Sequence, residues 1–242
     1  MSRRRSLWTG WTLALLAIVL FANLGLWQSR RAVEKQAMLD AANAVLEQRS
    51  PRALAIASDP ARAHGYDWAQ GMGEFVDTPA LLLDNQRHDG RAGVRAYRLF
   101  ADDDGGLLLV DLGWLPLPGD RRMPAVPRAD GRIAVRGLLA PPPSPGLAIG
   151  PAMARTATVD GEAWLLTRVE LATIAESLAL QAPPAARVLR LDPALPLGHA
   201  RDLELLPNTL PPDKHRGYAV QWFALALAVL ATALVLTFRR FK

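Results

Sequence analysis

The chain contains no cysteine, which excludes a disulfide framework, a thiolate metal site, a cysteine nucleophile and a copper relay through thiols. Any metal it holds must rest on histidine or oxygen. Histidine is scarce as well: the 4 present are His64, His88, His199 and His215, and no two stand at a ligand spacing. Lys35, Lys214 and Lys242 are the only lysines among 28 basic residues, a bias toward arginine that lowers the weight of any single one. The local signatures G-x-S-x-G, H-E-x-x-H and G-x-x-x-x-G-K-[ST] are all missing, so the common hydrolase, zinc-protease and phosphate-loop mechanisms lack their sequence marks. No enzyme is expected. Gly71-x-Gly73 lacks a third glycine and does not open a helix, and Asp102-Asp103-Asp104 has no ladder of further calcium ligands, so it reads as a solvated turn.

Charge is missing from two long stretches. The 24 positions 6–29 and the 22 positions 217–238 carry none, and as helices they measure about 33–36 Å against a hydrocarbon core of about 30 Å. Trp8, Trp11 and Trp27 suit interfacial belts for the first stretch, and Tyr218, Trp222 and Phe238 for the second. The formal charge of +5 comes from the ends: Arg3, Arg4, Arg5, Arg239, Arg240 and Lys242 have no acid among them, and without them 22 basic residues face 23 acidic ones. A near-neutral centre has no excess for phosphate backbones, so nucleic acid is not a partner. The expected organisation is a cytoplasmic tail over 1–6, a transmembrane helix over 7–27, an extracytoplasmic domain over 28–217, a second transmembrane helix over 218–238 and a cytoplasmic tail over 239–242. Basic ends place both termini in the cytoplasm. The apolar run exceeds a usual signal h-region, and Ala22-Asn23-Leu24 is not a small-x-small cleavage site, which favours an uncleaved anchor.

Between the spans, 28–49 lacks glycine and proline, and Val33, Ala37, Ala41, Ala44 and Val45 recur at helical spacing, so the first span extends as an amphipathic helix that Pro51 ends. Short apolar runs then predict strands at Gly71–Val76, Ala80–Asp84, Val94–Ala101, Leu107–Leu115, Arg132–Leu138, Thr156–Thr167 and Ala186–Leu191, with a helix over Val169–Leu180. Asp102–Gly106 predicts a hairpin turn, and Pro141–Gly146 a stiff connector outside any sheet. The fold class is a membrane-anchored α+β protein: two transmembrane helices flank an antiparallel, β-rich domain of barrel-like form with peripheral helices.

His215 stands apart from the other histidines because it lies at the outer mouth of the second span. An imidazole there suits an iron atom in a lipid-loving ring, and equally suits a plain polar interfacial residue. On a helix starting near Asp213, the residues His215, Tyr218 and Trp222 are spaced i, i+3, i+7 and share one face. A porphyrin site and an aromatic belt both fit that pattern.

Four blocks in order resemble the surfeit locus protein family of cytochrome c oxidase assembly factors. Gly25-Leu26-Trp27-Gln28-Ser29-Arg30-Arg31 is similar to its G-x-W-Q-x-x-R, with Glu34-Lys35 where the family often has Trp-Lys. Leu83-Asp84-Asn85 with Gly93-Val94-Arg95, and then Leu109-Val110-Asp111-Leu112-Gly113-Trp114-Leu115-Pro116, resemble its central blocks. His215-Arg216-Gly217-Tyr218-Ala219-Val220-Gln221-Trp222-Phe223 is similar to its H-x-x-Y-A-x-Q/T-W-F. The resemblance implies an assembly factor in the bacterial cell inner membrane with its central domain in the periplasm. It would help heme a reach the oxidase core subunit at the outer face, with membrane lipid as surroundings and heme a synthase left open as a further partner. It implies transient heme a binding with His215 as the iron ligand. Around that ligand the candidate site comprises Tyr218, Trp222, Trp27, Gln28 and Arg31, of which Trp27 and Arg31 share a helix face at i, i+4. The alternative is a membrane-anchored extracytoplasmic enzyme that uses His64, His88 or His199 with a distant serine or acid.

Overall fold

The computed structural model describes residues 3–145, 149–205 and 210–239. The end of the Pro141–Gly146 connector and parts of both expected tails lie outside them. The chain divides into two compact units, Met1–Asp40 with Thr209–Lys242, and Ala41–Asn208.

The first unit is a helix pair. Helix α1 runs Arg3–Gln48, and the last helix, α3, runs Pro212–Arg239. Both are long and apolar enough to cross a membrane by length and composition. They are antiparallel, as three contacts fix: Trp11 Nε1 donates to Thr237 Oγ1 at 3.0 Å, Phe21 stacks on Trp222 with centroids 5.6 Å apart, and the His215 ring meets Gln28 at 2.7 Å. Gly25 permits this approach, since a Cβ there would stand 2.7 Å from the Phe223 ring. Residues 28–40 belong to this unit, where Gln28 meets His215 at 2.7 Å and Gln36 accepts from Arg216 at 3.3 Å. The helix α1 ends where Arg49 turns to a φ of 43°, with its N–H on the Val45 carbonyl, and Pro51 then forbids continuation.

The second unit is a nine-stranded sheet: β1 Arg52–Ala53, β2 Asp67–Phe75, β3 Ala80–His88, β4 Arg91–Asp102, β5 Leu107–Pro116, β6 Ile133–Ala140, β7 Met153–Thr158, β8 Gly161–Leu166 and β9 Val188–Leu191, with a short helix α2 at Leu171–Ser177. The strand order is β1-β2-β6-β9-β5-β4-β3-β8-β7, and β2 pairs again with β4 through Gly73–Phe75 and Phe100–Asp102. The strands β2, β6, β9, β5 and β4 thus close into a ring, and β3, β8 and β7 continue the sheet from the other half of β4. Gly73 sits at the closure, where a Cβ would collide with the Ala101 carbonyl and the Phe100 ring.

Alternating residues of β4 and β5 face two cores. Val94, Ala96, Phe100, Leu108, Val110 and Leu112 join one cluster, while Tyr97, Leu99 and Leu109 join another with Ile174 of α2. Burial on both faces explains why these strands read as continuous apolar runs.

The all-antiparallel expectation is corrected. Three pairings, β1 with β2, β3 with β8 and β5 with β9, are parallel, so the sheet is mixed. Parallel neighbours need long crossovers, and here long connections separate β3 from β8 and β5 from β9. Alternation along a strand reports which face is buried and carries nothing about a partner's direction. The Thr156–Thr167 run is a hairpin, β7–β8, turning at Val159-Asp160, and the Asp102–Gly106 turn forms as expected, with Gly105 at φ 82° and Asp102 accepting from the Gly106 N–H.

Candidate functional site

Helix α3 opens with Pro212, whose fixed φ suits a first turn, and Asp213, whose charge suits the positive helix end. Arg216 pairs with Asp213 at 2.7 Å and steadies that turn. One residue earlier, His215 turns toward α1 and is 7% exposed. Its Nδ1 lies 2.7 Å from Gln28 Oε1, and Gln28 is itself 9% exposed. The Nε2 atom has no hydrogen-bond partner among the described residues.

On α1 the buried face reads Gly25, Gln28, Ala32, Lys35, at steps of three and four. Small Gly25, one turn before Gln28, admits the Phe223 ring of α3. Lys35 is 5% exposed and was not among the expected site residues, although its i+7 spacing from Gln28 was the signal that placed it on this face. The other expected residues take different positions. Trp27 is 55% exposed, Tyr218 is 41% exposed, and Arg31 is exposed and paired with Glu34 at 3.0 Å. Trp222 gives a ring face to Phe21, deeper along the pair. The structure therefore brings His215 and Gln28 into contact, leaves Trp27, Arg31 and Tyr218 exposed, and engages Trp222 with Phe21 instead. Arg31 and Lys35 stand near enough for their charge to act on the His215 ring.

The remaining histidines belong to the second unit. His64 is exposed. His88 lies 3.3 Å from Asp202 and 3.6 Å from Asp89, beside the Trp114 ring. His199 is half-buried, and burial together with the Arg201 charge holds its imidazole below the usual histidine range. Among the described residues no group of three histidine or acidic side chains is placed to hold a metal ion.

Residues 15–227 match the SURF1 family model, from within α1 to within α3. The chain belongs to the SURF1 family. That family is linked to cytochrome oxidase assembly, and its members are assembly factors. No curated protein matches the chain.

The sequence blocks that resemble the SURF1 family fall into two sets in space. The first and last meet in the helix pair through Gly25 against Phe223 and Gln28 against His215. The central blocks meet on β3, β4 and β5. There Arg95 donates to Asp111 at 2.7 Å, Gly113 takes a φ of 110° and gives its N–H to Asp111 at 2.9 Å, and Gly93 lies flat under the Trp114 indole. A bulge at Leu112 shifts the β4–β5 register between Ala96 and Tyr97. This second set is largely buried: Arg95, Asp111 and Trp114 are 6%, 3% and 2% exposed, so its chemistry serves the sheet.

Proposed function

We propose that this SURF1-family protein serves cytochrome c oxidase assembly by holding heme a at His215, at the outer surface of the bacterial inner membrane, for delivery to the oxidase core subunit. The observation that carries the reading is the buried contact between His215 and Gln28 in the helix pair. The residues present fit such a group: one imidazole nitrogen is occupied by a neutral amide, the other is unengaged among the described residues, and the chain has no cysteine to compete for the metal. Arg31 and Lys35 supply positive charge suited to propionates, and the exposed rings of Trp27 and Tyr218 supply apolar faces. The antiparallel pair puts both termini on one side of the membrane, the basic ends favour the cytoplasmic side and hence a periplasmic central domain, and heme a synthase in the same membrane would be the donor.

The test is spectroscopic. Protein purified from cells that make heme a is expected to show a Soret band that His215→Ala shifts or abolishes and that His64→Ala, His88→Ala and His199→Ala leave unchanged. A His215→Ala protein with an unaltered band and affinity overturns the ligand assignment. A wild-type protein without any band, from cells rich in heme a, overturns the heme reading and leaves an assembly factor that works through protein contacts alone.

A further inference from the structure

We infer that Gln28 is a positioning residue: its side-chain carbonyl fixes His215 as the Nδ1–H tautomer and thereby reserves Nε2 for a metal centre. The inference rests on the heme reading for its purpose, but the tautomer is a property of the protein alone.

A neutral imidazole has one N–H donor and one lone-pair acceptor. An amide oxygen only accepts, so a contact of 2.7 Å between Nδ1 and Oε1 requires the proton on Nδ1. That leaves Nε2 with its lone pair free. Histidine in water favours the opposite tautomer, in which Nε2 carries the proton and cannot bind iron, so the hydrogen bond works against the intrinsic preference. It is able to do so because the contact is sheltered. His215 and Gln28 are 7% and 9% exposed, and water competes weakly for either group. The spacing is also held by packing, because Gly25 admits the Phe223 ring one turn from Gln28 and Ala32 lies one turn beyond on the same face. The surroundings of a metal-binding histidine act in this way, through a partner on the second nitrogen that sets tautomer and ring orientation.

Two consequences separate this role from a direct contact with the ring system. Gln28 is reassigned from a group that touches a porphyrin to one that acts through His215. Its amide orientation also becomes decisive: an inverted amide, donating from its nitrogen to Nδ1, would leave the proton on Nε2 and close the site to iron.

The full chain, labelled with 15N-histidine in detergent micelles at about pH 8, where an ordinary imidazole is neutral, reports the tautomer directly through the long-range couplings of each ring. His215→Ala assigns the signal by subtraction. The expected pattern for His215 is a protonated Nδ1 and an unprotonated Nε2. In Gln28→Leu the pattern is expected to move toward the Nε2–H form, and in Gln28→Glu, which still accepts, to stay as in the wild type. Titration with heme a is expected to show Gln28→Leu weaker by about 10- to 100-fold, the usual effect of losing such a partner, with Gln28→Glu close to the wild type. A protonated Nε2 in the wild type overturns the inference whatever the heme result. Equal heme affinity in Gln28→Leu and wild type, with circular dichroism unchanged, overturns the positioning role. A wild type with the expected tautomer that binds no heme a sustains the tautomer and overturns the heme reading.

Discussion

Asp67→Ala tests the most heavily engaged buried charge in the sheet unit. Asp67, at the start of β2, receives hydrogen bonds from Arg62 Nε at 2.8 Å and from Arg187 Nη1 at 2.5 Å, and Arg52 approaches to 3.3 Å. Arg187 is the critical partner, because its side chain is 0% exposed and its only other acceptor among the described residues is the Ile56 carbonyl. Removing the carboxylate strands a guanidinium in the core, and breaking a buried pair from one side costs about 3–5 kcal/mol. Against a total of about 5–15 kcal/mol for a domain, and a slope of about 1–3 kcal/mol per molar in urea, the unfolding midpoint should fall by about 1–5 M. Trp68, adjacent in sequence and 4.8 Å from the Arg49 guanidinium carbon, supplies the fluorescence signal for urea titration in micelles. Asp67→Leu with Arg187→Met removes both charges and should recover at least half of the loss. Burial alone would raise the Asp67 carboxyl, yet the hydrogen bonds from Arg62 and Arg187 hold it below the usual range. A lowered folded-state value means that this stability is fully present above the unfolded carboxylate value and is lost as pH falls through the folded one. The wild type should therefore weaken below about pH 4, and Asp67→Ala should weaken less steeply. An Asp67→Ala loss under about 1 kcal/mol, or a double variant as unstable as the sum of the singles, refutes the reasoning.

Gly25→Leu should force Phe223 off α1 and widen the helix pair, read as a longer spin-label distance between 18 and 229 and as loss of heme a affinity with no loss of insertion. Gly93→Val should push the Trp114 indole out of its buried position, since a Cβ there would stand 2.5 Å from the ring; a red-shifted tryptophan emission and a stability loss of about 1–3 kcal/mol are expected. Alkaline phosphatase fused at Ser50 and Asp130 should be active, and a cytoplasm-active reporter after Lys242 should be active instead; a cytoplasmic signal at Asp130 would end the proposal of delivery at the outer surface.

Much of the architecture was legible before any coordinates. The two charge-free runs, the break at Pro51, the Asp102–Gly106 turn and the positions of β2 to β6 and β9 all depend on local composition and on spacings of two or 3.6, which a single chain carries in order, whereas β1 was not among the expected strands and β7 and β8 were expected as one run. The helix over 28–49 formed as expected, but not with the expected apolar face: Val33, Ala37, Ala41 and Ala44 are exposed, and Gln28, Ala32, Lys35 and Ala42 are buried instead. What only the tertiary structure decided are relations between distant residues. Parallel pairing of β8 with β3 and of β9 with β5, and closure of the ring through β2 and β4, depend on how long connections return, and no alternation along a strand encodes that. The contact between Gln28 and His215 and the burial of Arg187 against Asp67 likewise join positions far apart in the chain. Spacing names the residues that share a face; only packing determines which face meets another, because that choice is made by the whole surface of both elements at once.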